Sequence, residues 1–185
     1  VVIHPSRRAL FPFGNFVAGY FLDDRSDLVA WLVALEALSG QSLDATFIAT
    51  AAEEVGGEGA LYAMRDLRPE VCIALELGPD VDDAPVSLND QPTIWVTDSY
   101  SSMSAADGRL VQSVADDLGI DVQFQALSRG GSDASCAASH GLCARPITIG
   151  IPMANSHGFE IIDPSAMETV GRFTAALVRR ICETG

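Results

Sequence analysis

The chain contains no lysine, so its 11 basic residues are all arginine, and against them stand 25 acidic residues for a net charge of −14. Such a surface repels phosphate backbones and anionic lipid, which argues against nucleic-acid or membrane partners and favours a cationic group or a metal ion. There is no signal peptide and no apolar stretch of 18 residues, so nothing in the chain reads as a membrane span. Cysteine is scarce: Cys72, Cys136, Cys143 and Cys182 show no CxxC or zinc-finger spacing and read as free thiols, as expected in a reducing cytoplasm. The all-arginine basic set is a compositional bias and carries no functional signal.

What is present is a globular composition, 48% hydrophobic and 19% charged over 185 residues, the size of one domain. Neither internal repeats nor low-complexity segments occur. Apolar runs alternate with helical patterns. Residues 1–22 read as strand and loop; 27–40 read as a helix apolar nearly all round and therefore well buried. Strands are expected over 45–54, 71–77 (a central strand by its apolar run), 92–98, 121–127 and 145–151. Helices are expected over 57–68, from Ser104 to Gly119, in a short piece after the Gly/Ser loop, and from an Asp163 cap with Pro164 in the first turn to about Cys182. This alternation implies a three-layer α/β/α sandwich with a mixed, largely parallel sheet, and ligands in such sheets gather beyond the carboxyl ends of the strands.

Acidic residues sit at those ends. "AAEEVGGEGA" places Glu53 and Glu54 side by side where an apolar run stops, which suits either a cation or a solvated turn. Glu76 lies inside the apolar run "IALELG", where an unpaired charge is costly. "FLDDRSD" puts Asp23 and Asp24 before the first long helix, and "NSHGFE" puts His157 and Glu160 after the last strand. Taken alone, Asp-Asp before a helix is an ordinary cap, and His157 an ordinary loop residue. Together, carboxylates and imidazole without thiolate suit zinc, cobalt or manganese in a hydrolytic site.

In chain order, "FLDDRSD", "AAEEVGGEGA", "IALELG", "GGSDAS" and "IPMANSHGFE" resemble the catalytic domain of the M42 family of metallo-aminopeptidases, the glutamyl and tetrahedral aminopeptidase relatives. The likeness runs from about Gly19 to Arg180. It implies that the chain is one catalytic α/β domain, 1–185, truncated upstream. It implies a metal-dependent aminopeptidase that removes N-terminal residues from peptides by means of water activated by two divalent ions, zinc or cobalt. Asp23 would bridge the two ions, Glu54 and His157 would complete one, Glu76 would serve the other, and Glu53 would be the general base. The family pattern usually has aspartate where Glu76 stands.

The loop residues Gly131, Ser132 and Asp133 would border the substrate. The family's remaining ligand, an upstream histidine in an HxD motif, has no counterpart here. His4 and His140 do not match that motif and read as structural. The 185 residues alone are therefore expected to bind at most one ion firmly and to be inactive, and the full-length protein to be a cytoplasmic homo-oligomer. Two other readings stand beside this one. A deacylase of the same clan would act on N-acylated amino acids, and a non-catalytic module could keep the fold.

Overall fold

Eight consecutive residues, 146–153, are buried, with Ile147, Ile149, Ile151 and Met153 wholly so. A strand buried at both odd and even positions must be covered on both faces, which is the arrangement of an α/β layer structure. The structure is a computed structural model that describes residues 9–184. His4 lies outside the described residues.

The buried strand is β6 (Arg145–Ala154). It pairs in parallel with β3 (Val71–Pro79) and antiparallel with β4 (Thr93–Thr97) and β7 (Glu160–Ile162). Beyond β4 lies β5 (Gln123–Ala126) in parallel; beyond β7 lies the hairpin of β2 (Phe16–Gly19) and β1 (Phe11–Phe13). Among the described residues the seven-stranded sheet is mixed, as expected, but with two parallel and four antiparallel pairings it is not largely parallel.

Helices cover both faces. The odd-numbered residues of β6 meet Ala30 of α1 (Leu22–Leu38), Val111 and Val114 of α3 (Ala105–Leu118), and Val170, Phe173 and Leu177 of α5 (Ala166–Thr184) in the main core. On the other face, Met64 of α2 (Glu58–Leu67) and Ala134 and Ala137 of α4 (Asp133–Ser139) pack with Cys72, Ala74 and Cys143. All four cysteines are free thiols. Among the described residues no helix is long and apolar enough to cross a membrane.

Four sequence expectations need correction. Residues 45–52 form no strand, and Glu53–Val55 make a short 3-10 turn. Phe47 packs beside Ala34 and Leu38 while Thr50 bonds Asp133, so the segment alternates sides as a strand does, but no neighbouring strand completes a ladder among the described residues. Among the described residues β3 for the same reason has a single partner, β6, and is not central there.

The α1 helix starts earlier than 27, and it is buried on one side only: Leu28, Val29 and Leu32 are exposed. Its packing stripe is made of small residues, Ala30 and Ala34, because α5 passes very close. A Cβ on Gly171 would stand 2.6 Å from the Ala30 carbonyl oxygen. Finally, α5 begins at Ala166, with Asp163 and Pro164 in the turn before it. There Asp163 Oδ1 accepts from the Ser165 N–H at 3.0 Å.

Candidate metal centre

The carboxyl ends of the parallel pair β3 and β6 open into a cleft of about 1020 Å³, lined among others by Asp23, Glu53, Glu54, Glu76 and His157. Each side chain reaches it for a local reason. His157 follows β6 in the turn before β7, with φ of 64°. Asp23 lies where the chain enters α1, in a kink where Asp23 and Asp24 depart from helical angles, so neither acts as a side-chain cap.

One buried carboxylate ties these two segments together. Glu160, 2% exposed on β7, accepts at Oε2 from the Leu22 N–H (2.6 Å) and the Asp23 N–H (3.2 Å), and at Oε1 from the His157 N–H (3.1 Å). Charge-assisted bonds of this kind are the stronger class. They fix the backbones that carry two site residues.

Glu53 and Glu54 sit on the 3-10 turn, flanked by Gly56 at φ 124° and Gly57 at φ 67°. At Gly57 a Cβ would come 3.3 Å from both Asp133 Oδ1 and Cys136 Sγ, so glycine lets α4 close on the turn. The turn aims Glu54 at His157. His157 Nε2 stands 3.3 Å from Asp23 Oδ2 and 3.4 Å from Glu54 Oε2, and one donor atom from each of the three lies within 4.8 Å of the others. Two carboxylate oxygens and one imidazole nitrogen are a donor set that fits a divalent ion such as zinc, which takes three protein ligands in catalytic sites.

The remaining carboxylates crowd behind this set. Burial, then the charges of Asp133, Glu54, Asp23 and Asp24, push Glu53 from 4.5 up to about 7. Burial and Glu54 push Asp23 up to about 6, against a lowering by His157. Burial, then the like charge of Glu53, holds Glu76 well above the usual carboxylate range, and its Oε2 accepts from the Leu77 N–H of its own strand. Glu76 is thus in the same cleft but outside the three-atom cluster.

Two further acids lie deeper: Asp24, which the sequence reading took as a cap, and Asp27, which it passed over. Asp24 is raised to about 7, chiefly by burial, and Asp27, 1% exposed, is held well above the usual carboxylate range by burial and by Asp24. Asp27 shares a side-chain hydrogen bond with Asp24, in which the protonated Asp27 donates, and burial keeps the proton on Asp27. A charged residue inside a helix read as buried all round was the available signal. Glu160 carried none beyond its place in "NSHGFE".

The Gly/Ser loop reaches the same cleft. Gly130, Gly131 and Ser132 line it, and a Cβ on Gly131 would fall 2.0 Å from the Tyr100 ring. The Ser132 hydroxyl is otherwise engaged: it caps α4 through the Ser135 N–H and bonds Thr148 Oγ1 at 2.7 Å. Asp133 does not line the cleft; it accepts from the Thr50 hydroxyl at 2.6 Å and stands behind Glu53. His140 ends α4, with Nδ1 2.9 Å from the Cys136 carbonyl, away from the cluster.

The sequence profile of the M42 glutamyl aminopeptidase family matches residues 2–173. The chain belongs to that family. A curated protein of Acetivibrio thermocellus is 25% identical over 176 residues, covering 91% of this chain and 52% of its own length. Among solved structures, the TET1 peptidase of Pyrococcus horikoshii superposes with a TM-score of 0.81 at 25% identity, over 92% of this chain and 52% of that one. An aminopeptidase from the archaeon Desulfurococcus kamchatkensis gives 0.79 at 25% identity, over 94% and 52%. The chain therefore spans about half the length of the M42 relatives it matches.

Proposed function

We propose that this chain is the catalytic part of a metal-dependent aminopeptidase, and that Asp23, Glu54 and His157 hold a divalent ion, zinc or cobalt. The observation that carries the reading is the convergence of those three donor atoms beside a third acid, Glu53, that binds no part of the cluster. When bound, the ion supplies a Lewis acid that polarises the scissile carbonyl and makes water more acidic. Asp23 and Glu76 would serve a second ion.

Glu53 takes the proton of the attacking water and returns it to the leaving amine. An acid near 7 suits both tasks, because it releases and accepts a proton at similar cost. The surrounding carboxylates attract the free amino end of a peptide, and the Gly130–Gly131 backbone, kept bare of side chains, lets the substrate chain lie close. The TET1 relative is described as assembling into a tetrahedron or an octahedral shell, which supports a homo-oligomer for the full-length form of this protein.

Assays of the full-length protein on amino-acid p-nitroanilides and their N-acetylated counterparts, with zinc or cobalt, test the reading. Cleavage confined to free-amine compounds is the expected result. Preference for the acetylated series would make it a deacylase, and no cleavage of either would leave a non-catalytic module.

A further inference from the structure

Away from His157 the cleft changes character. Val81 from the turn after β3, Trp95 from β4, Leu127 and the Tyr100 ring form an apolar wall, and Asp82, Asp83 and Arg129 stand along the same cleft. Trp95 is 7% exposed, and its buried indole N–H has no acceptor among the described residues.

This wall is held in place before any ligand arrives. Gln125 Nε2 donates to the carbonyls of Pro79 and Ala84, both at 2.7 Å, pinning the turn that carries Val81, Asp82 and Asp83. On the other side the Leu127 N–H donates to the Thr97 carbonyl at 2.9 Å and the Ser99 N–H to the Gly130 carbonyl at 3.1 Å. A surface ordered in advance loses little entropy on binding.

The charges at its end do not cancel. Among the described residues Arg129 is the one arginine along the cleft. Asp83 accepts from the Ser128 hydroxyl at 2.5 Å, and that bond, its own backbone N–H and, least, the charge of Arg129 hold its carboxyl below the usual carboxylate range. Asp82, exposed on the same turn, makes no hydrogen bond or ion pair among the described residues, so one negative charge is left over. The run from Glu76 to Pro79 is three strand residues, about 10 Å, a distance that only a long side chain spans. Long cationic side chains lay an apolar stem along such a wall and keep the charged head in water at its rim. An acidic side chain would meet two carboxylates, Asp82 and Asp83, against the single guanidinium of Arg129.

We propose that this end of the cleft receives the side chain of the substrate's first residue and selects lysine or arginine, with Asp82 as the specificity-determining residue. The proposal rests on the aminopeptidase reading, and the test separates the two. Calorimetric titration compares L-lysinamide, L-norleucinamide and L-glutamic acid α-amide, and the N-acetylated forms of the first two, against the zinc-loaded chain. Lysinamide should bind at least about tenfold tighter than norleucinamide, and the preference should weaken with salt. Asp82→Asn should cut that ratio at least about threefold, while Asp90→Asn, which alters an exposed carboxylate outside the cleft, should not.

A lysine-to-norleucine ratio near one in both series overturns the proposal. So does tighter binding of the glutamate amide, a ratio untouched by Asp82→Asn, or absence of binding by every compound. Equal binding of lysinamide and its N-acetyl form strikes the aminopeptidase reading instead, and the side-chain ratio still reports on Asp82.

Discussion

Glu160 and Glu53 show how little of a residue's role is written in its own type. Glu160 does not line the cleft, yet its two oxygens hold the N–H groups of Leu22, Asp23 and His157. Groups that orient metal ligands typically matter about 10–100-fold in affinity. Glu160→Gln is therefore expected to weaken zinc binding by about that factor while the chain stays folded, as calorimetry would show; unchanged affinity would mean that the two segments hold themselves.

Glu53 should behave in the opposite way. As the proposed base outside the cluster, Glu53 should tolerate Glu53→Gln in the full-length protein without loss of metal while turnover falls by roughly 10²–10⁴-fold. Metal lost with that substitution would make Glu53 a ligand. The two neighbours Glu53 and Glu54 thus answer the question their adjacency poses: a 3-10 turn, not a strand end, sends one to the imidazole and leaves the other against Asp133.

At the level of elements, the sequence was most readable where local pattern and tertiary context agree. The caps Ser104 and Gly119 bound α3 at the expected positions, and the apolar run of β6 is buried as its composition requires. It misled where an element depends on a partner. The 45–52 segment has strand residues and strand-like alternation, but a ladder needs a second chain beside it, and sequence pattern does not report that. In α1 the apolar side chains suggested burial all round, whereas the helix that covers it selects for smallness at Ala30 and Ala34. The Asp23, Glu54 and His157 grouping became visible only through motif order, since residues 134 positions apart share no local signal. The close α1–α5 approach has a direct test: Gly171→Ala overpacks it and is expected to cost about 1–3 kcal/mol. That lowers the melting temperature by roughly 2–4 °C per kcal/mol in a chain of this size. An unchanged melting temperature would show that the helices can part freely.

For the whole molecule, the excess of acid sets the pH behaviour. Asp23 is raised from 3.8 to about 6, Asp24 from 3.8 to about 7 and Glu53 from 4.5 to about 7, so the folded, metal-free chain binds protons more tightly than the unfolded one. Its stability must then fall as pH climbs from about 4 to about 7 and level off above. In EDTA the melting temperature is expected to drop across that window, and zinc, which takes the place of the proton on Asp23, should stabilise more at pH 8 than at pH 5. A melting temperature that rises with pH in EDTA would show that these acids are ionised in the folded state.

The claim on which all this depends is that Asp23, Glu54 and His157 form one complete site within these 185 residues. Zinc content of the purified chain after exhaustive dialysis, with and without His157→Ala, tests it most directly. The account expects one firmly held ion per chain, with affinity lost at least about tenfold on removing the imidazole. No retained zinc in the unaltered chain, or an ion that survives His157→Ala undiminished, would contradict it.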